Sequence, residues 1–469
     1  MRLSPLLPYV LVALIMVAVF VATQLRLDGD PRPNGGVREF DSLSARTDLN
    51  LLFILIDTLR ADHLSGYGYA RPTSPHIDSL TRTGVRFTNH LAQSSWTKTS
   101  MASLWTGLYP TRVGVLHASD AIPAEARMPA EALAETGLET LALWRNGWVA
   151  PNFGFSQGFD AYISPRPAPT PPGFRRENPG VRVLGSDFDA VESFEEYLRT
   201  TSADRWFVYL HFMDVHQYAT DERSAIFGTT YLDAYDNSIH YTDRAVRALI
   251  DLLEKHALRE RTVVVLASDH GEAFGEHGSE GHARDVHAEV TRTPWIVSFP
   301  FRLRQPVEVH APSENIDVWP TLLAMLGAEA PAPIDGRSML PEIRAAIANE
   351  KASTTPDGNG QAPRDRISHL NRHWSRPEQE QLPAVALTRG RLRFFRQTER
   401  ALLFDIVEDP FERVGLSEPD PESMASLGKA VDAYLETAPV WSDGVPQVEL
   451  DEMQLGQLRA LGYVVEGQP

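Results

Sequence analysis

Apolar, strand-like runs alternating with amphipathic, helix-like stretches predict an α/β fold: a mostly parallel sheet sandwiched by helices, with a smaller C-terminal α+β subdomain. Three observations carry this expectation. Leu51 to Ile56, Trp206 to Phe212 and Val263 to Ala267 are unbroken apolar runs of the kind buried on both faces of a parallel sheet. Helical spacing of apolar residues recurs between them, in Phe188 to Thr200 and Tyr235 to Lys255. Two of the runs also end in chemistry-bearing residues. Asp57 follows the first, and Ser268-Asp269-His270-Gly271-Glu272 follows the last, at the carboxyl ends where open α/β sheets bind ligands.

The 469 residues suffice for one large core and a second, smaller one. A formal net charge of -18 argues against a nucleic-acid partner, since phosphate backbones need basic surface. The absence of cysteine excludes disulfides, thiolate metal sites and a cysteine nucleophile. Lysines are confined to Lys98, Lys255, Lys351 and Lys429, a bias towards arginine of the kind codon usage produces. That scarcity makes Lys98, beside a candidate nucleophile, more noticeable.

Taken in order, residues 1–27 read as an N-terminal membrane anchor. Leu6 to Leu25 carries no charge and is long enough to span a bilayer, and small residues at a cleavage spacing are missing around Phe20-Val21-Ala22. Residues 28–49, rich in Pro, Gly and Asp, read as a tether holding the remainder in the periplasm or outside the cytoplasm. Residues 50–345 form the expected catalytic domain. Within it Ala130 to Thr136 is expected to be helical, Glu139 to Trp144 and Pro294 to Phe299 extended, and Ser164 to Gly180 a surface loop. Residues 346–383 turn polar and read as an insertion or linker. In residues 384–469, Ala384 to Phe395 and Ala401 to Ile406 suggest antiparallel strands, with a helix over Glu422 to Glu436. Ser95-Trp96-Thr97-Lys98-Thr99-Ser100 leads into the helix-like MASLWTGLYP, which presents a hydroxyl and an ammonium near an anion-attracting helix N-terminus.

The segments IDTLRADHLSGYGYARPTSPHIDSL, GVRFTNHLAQSSWT, SLWTGLYPTR, FGFSQGFDAY, SDHGEAFGEHG and IDVWPTLLAMLG fall in the order shown by the sulfatase family of the alkaline phosphatase superfamily. The chain resembles that family from about Asn50 to its C-terminus, apart from the polar insertion. The resemblance implies an alkaline-phosphatase-like sheet and a metal-dependent hydrolase acting on sulfate or phosphate esters. One departure is central. True sulfatases convert a Cys or Ser within C/S-x-P-x-R into formylglycine, whereas the aligned residues here are Thr97-Lys98-Thr99-Ser100-Met101. Threonine at this position looks like the relatives that act on phosphorus and use the hydroxyl directly. A phosphoryl transferase, or a binding protein that has lost the chemistry, are the competing readings.

A hydroxyl is a weak nucleophile near neutral pH. A divalent cation can activate it and neutralise the charge that builds on an ester's oxygens. Asp57, Asp269 and His270, with Thr97 as fourth ligand, are the expected site for one such ion. Histidine at position 270, and Thr58 where most sulfatases carry a second aspartate, shift the expectation from Ca2+ or Mg2+ towards Mn2+ or Zn2+. Lys98 is the candidate for the ester's non-bridging oxygens. By resemblance, His216 and His282 contact the substrate or protonate the leaving group, and Asp214 orients His216. Proximity suggests Arg284 as a substitute for the missing sulfatase arginine. His277 and His287 read as an exposed loop, and Arg60, Asp62 and Tyr67 as braces of the first loop. The ester itself could be of small-molecule, glycan or lipid type.

Overall fold

A computed structural model describes residues 30–165, 185–349, 364–371, 383–450 and 455–456. Eight strands form the main sheet: β1 (Asn50–Ile56), β2 (Val85–Phe87), β3 (Glu139–Leu143), β4 (Ala161–Ile163), β5 (Trp206–Phe212), β6 (Thr262–Ala267), β7 (Trp295–Ser298) and β8 (Val307–Val309). Their order across the sheet is β8-β2-β7-β6-β1-β5-β3-β4. All neighbours pair in parallel except β7, which runs antiparallel to both β6 and β2. Central β1 lies between β5 and β6, with Leu55 opposite His211 on one side and Ala267 on the other.

The apolar runs behave as their composition requires. Successive residues on a strand face opposite sides, so Leu51, Phe53 and Leu55 enter one core, with Trp105 and Trp319. Leu52, Ile54 and Ile56 enter the other, with Ile239, Val246 and Leu249. The helices that cover these faces include α1 (Pro75–Thr83), α2 (Thr97–Thr106), α3 (Asp187–Thr200), α4 (Tyr231–Lys255) and α5 (Val318–Met325). On α4, Thr230 caps the N-terminus by accepting the Asp233 N–H, and the buried positions recur at helical spacing.

A second sheet of four antiparallel strands, Arg366–Leu370, Ala384–Arg389, Leu392–Gln397 and Arg400–Asp405, packs on α6 (Pro421–Leu435) through Ile367, Leu387, Phe394, Leu427 and Val431. Its first strand lies inside the stretch read as a polar insertion, which corrects that boundary. Arg366–Leu370 is buried along its length, and its polar letters are accounted for by pairing with Ala384–Arg389 and by bonds to the main body. The tether reading also gives way over its described part. Val37–Asp41 is a short helix, and Phe40 and Leu43 are buried in the first core. The expected anchor, most of the Ser164 to Gly180 loop and most of the chain beyond residue 450 lie outside the described residues. Among the described residues no helix is long and apolar enough to cross a membrane.

Candidate active site

The carboxyl ends of adjacent strands converge at one edge. The Asp57 N–H donates to the Phe212 carbonyl at 3.0 Å, carrying the β1/β5 ladder one residue further and setting the carboxylate at the rim. Thr58 then turns with a φ of 60°, a left-handed conformation that β-branched residues rarely adopt. Its hydroxyl folds back onto the Asp57 carbonyl at 2.7 Å. Tyr235 of α4 secures the turn, donating to the Thr58 carbonyl at 2.7 Å and accepting the Arg60 N–H at 2.9 Å. The local strain is thus held by contacts from another element.

Thr97 is the first residue of α2, one turn earlier than the MASLWTGLYP reading placed the helix. Its neighbour at the N-cap, Trp96, supplies no side-chain cap, and the positive end of the helix dipole lies at Thr97. Thr97 Oγ is 3.1 Å from His270 Nε2 and 3.5 Å from Asn146 Nδ2. Ligand atoms of Asp57, Asp269 and His270 all lie within 4.8 Å of one another. Asp57 Oδ1 and Asp269 Oδ2 are buried with no hydrogen-bond partner. Unpaired buried carboxylate oxygens are costly, and a divalent cation would satisfy both. These residues therefore fit the metal that the sequence implies, and the mixed oxygen and imidazole set suits Mn2+ or Zn2+ as well as harder ions.

Electrostatics agree with the geometry. Burial opposes ionisation of Asp57, but the hydrogen bond from His211 and the nearby histidines outweigh it and hold this carboxyl below the usual range. Burial and the charge of Asp57 push Asp269 well above that range. Burial brings His270 down to about 3, leaving a neutral imidazole competent as a ligand.

Opposite this cluster stand His216 and His282, whose rings are 5.0 Å apart; the His282 ring is 4.6 Å from that of His270. His216 Nε2 is buried without a partner. His282 Nδ1 lies 3.1 Å from a carboxylate oxygen of buried Glu272. Burial, with the charge of Arg284 adding to it, brings His282 down to about 4, while burial raises Glu272 to about 7. Arg284 is near enough for its charge to act on His282, and its carbonyl accepts from Gln397 Nε2 at 3.1 Å.

Other expectations change. Lys98 does not face the cluster. Its ammonium donates to the Ala118 carbonyl at 2.6 Å and lies 3.5 Å from the centroid of the Phe153 ring. Burial pulls it well below the ordinary lysine value, and the charged group acting on it is Asp120. Asp214 pairs with Arg145 and accepts the Asp187 N–H at 2.7 Å, an arrangement that fixes the turn before His216. His277 and His287 are not an exposed loop. They stack at 3.8 Å, with His277 Nδ1 2.7 Å from Glu289 and His287 Nδ1 2.9 Å from Glu412. Arg60 and Asp62 form an ion pair and Tyr67 bonds to the Trp295 carbonyl, as braces should.

Asn146 and His211 escaped the sequence reading. Each lies at or near the carboxyl end of an apolar strand, the position that identified Asp57 and Asp269. His211 also carried a second signal, an ionisable ring inside a run of large apolar residues.

A mostly parallel α/β sheet whose strand ends gather a hydroxyl, two carboxylates and neutral imidazoles is the arrangement of an ester hydrolase. The family model for sulfatases matches residues 49–328. This chain belongs to the sulfatase family. An ulvan-active sulfatase of Formosa agariphila is 25% identical over 432 residues, spanning 83% of this chain and 81% of that protein. Steryl-sulfatase of Rattus norvegicus is 25% identical over 407 residues, spanning 62% and 70%. In fold, a putative sulfatase from Bacteroides thetaiotaomicron superposes with a TM-score of 0.67 at 18% identity, covering 90% of this chain and 96% of its own. The phosphonate monoester hydrolase of Agrobacterium radiobacter gives 0.63 at 17% identity, with coverage of 82% and 95%.

Proposed function

We infer that this chain is a metal-dependent hydrolase that cleaves sulfate esters, or the isosteric phosphate and phosphonate esters, with Thr97 as the nucleophile. The observation that carries the reading is the Thr97 hydroxyl, 3.1 Å from His270 Nε2, beside two carboxylates with unpartnered oxygens. Asp57, Asp269 and His270 would hold one divalent ion, Mn2+ or Zn2+ before Ca2+ or Mg2+, which lowers the pKa of the hydroxyl and offsets charge on the ester. Thr97 Oγ forms a bond to sulfur or phosphorus as the bond to the leaving oxygen breaks. His216 and His282, neutral at the start, are the candidates to take up the proton that the Thr97 hydroxyl loses and to pass one to that oxygen. Water then attacks the Thr97 ester and releases the acid. The phosphorus reading is favoured by the plain hydroxyl in place of the formylglycine motif. The ulvan-active and steryl relatives support sulfated glycans or lipids as the larger substrate. The reading includes an N-terminal anchor and a periplasmic catalytic domain, supported by the uncharged run Leu6 to Leu25.

Turnover of 4-nitrophenyl sulfate, a phosphate monoester and a phosphodiester by the chain and by Thr97→Ala tests this proposal. The variant should lose roughly 10³-fold or more in kcat on the preferred ester while still binding metal. Turnover within a few-fold of the parent would place the nucleophile elsewhere.

A further inference from the structure

Asp57 has two carboxylate oxygens, and their surroundings differ sharply. Oδ2 accepts from Asn146 Nδ2 at 2.7 Å and lies 3.1 Å from His211 Nε2, whereas Oδ1 has no partner. His211 is in turn engaged on its far side, its Nδ1 2.7 Å from the hydroxyl of Tyr209. Asp57, Asn146, Tyr209 and His211 are all fully buried. A carboxylate can only accept, so Nε2 of His211 carries the proton, and Nδ1 accepts from the Tyr209 phenol. The register explains how this chain of bonds arises. Tyr209 and His211 are alternate residues of β5 and so face the same side. Tyr209 lies opposite Phe53 and His211 opposite Leu55, two residues before Asp57 on the face that Asp57 continues.

We propose that the Tyr209–His211 pair, with Asn146, is a positioning device that presents Asp57 to the metal through Oδ1 alone. The proposal rests on the metal-site reading given above. With Oδ2 occupied by two donors, chelation through both oxygens would compete with the bonds from Asn146 and from His211, the latter fixed by its place on β5. One-oxygen ligation suits Zn2+, which takes few ligands, and Mn2+, which is smaller than Ca2+ and holds its ligands closer. It penalises Ca2+, which often fills its larger shell with two-oxygen carboxylates. The brace is therefore a determinant of which ion the site accepts as well as of how tightly it binds. Outer partners of metal ligands contribute in this way elsewhere, at about 10- to 100-fold in affinity each.

The test is calorimetric titration of chelator-stripped, folded protein with Mn2+ and with Ca2+, alongside thermal melts without metal. The parent should bind one Mn2+ per chain, more tightly than Ca2+. Tyr209→Phe removes one hydroxyl and should weaken Mn2+ several-fold. His211→Leu should weaken Mn2+ by about 10- to 100-fold and narrow its preference over Ca2+. His211→Gln keeps a donor near the Nε2 position and should recover most of the loss. If His211→Leu fails to fold, Tyr209→Phe and His211→Gln decide. Affinities within twofold of the parent in folded Tyr209→Phe and, where it folds, His211→Leu would overturn the positioning role while leaving the metal site intact. A parent that takes up neither ion, like an Asp57→Asn control, would overturn the metal site itself, and the brace with it.

Discussion

The hydroxyl of Ser100 donates to the main-chain carbonyl of Asp269 at 2.6 Å. One turn into α2, the helix that begins with Thr97 is thereby joined to the strand end that bears two of the proposed metal ligands. Asn315 reinforces the same place, its Nδ2 donating to the Ser268 carbonyl at 3.1 Å and its Oδ1 accepting from His90 Nε2 at 2.8 Å. Thr97 and Asp269 are separated by most of the domain in sequence, yet their elements are joined in space by this side-chain hydrogen bond.

Ser100→Ala should therefore cost about 1 kcal/mol of stability, the usual net worth of a buried neutral hydrogen bond. It should lower kcat by more than this loss of stability accounts for, because the helix is free to drift from the strand end. Thermal melts and steady-state rates on the same sample check it; a stability loss with unchanged kcat would show that the helix is held in place by packing alone.

Lys98→Met is expected to leave KM within about twofold of the parent, since the ammonium is replaced by an apolar side chain of similar length in a buried position that faces Phe153. A KM raised tenfold or more would restore Lys98 to the ester's oxygens, the role its sequence position suggested.

Removal of one of two crowded buried carboxyl groups should reveal the tension built into the proposed metal site. Asp269→Asn should raise the melting temperature of the metal-free protein, by on the order of 1 kcal/mol in stability, and abolish metal binding. Conversely, adding metal at about 1,000 times its Kd should stabilise the parent by about 4 kcal/mol and leave the variant unchanged.

The stacked histidines give a pH dependence with a definite sign. Burial would lower His277, but its bonds to Glu289 and to the Glu412 carbonyl, with the charges of both residues, raise it to about 9. The folded state thus holds this proton more tightly than the unfolded chain, whose histidine has a value of about 6.5. The stabilisation is full below about pH 6.5 and is lost as pH rises through 9. Melting curves between pH 6 and 10 should show a decline in the parent that His277→Gln flattens.

Much of the sheet and half of the site could be read from the chain. Unbroken apolar runs located β1, β5 and β6, because strands buried on both faces have no polar face to hide. Asp57, Asp269 and His270 followed from their place at the ends of those runs. What escaped depended on partners distant in sequence. Lys98 resembled an anion-binding group because its letter follows Thr97, yet α2 carries its side chain towards Phe153. His277 and His287 looked solvated, since nothing local indicates that Glu412 comes to meet them. The strand Arg366–Leu370 was hidden within polar composition because its burial is created by the sheet it joins.

That same strand has a consequence for how the molecule may be divided. Ser368 donates its hydroxyl to the Ala92 carbonyl at 2.7 Å, and the His369 N–H donates to the Gln93 carbonyl at 2.7 Å. These anchor points lie only a few residues upstream of Thr97. The small lobe is thus a retaining wall for the segment that carries Thr97, and a fragment ended at residue 345 would keep every proposed ligand yet lose the backing that keeps them in register.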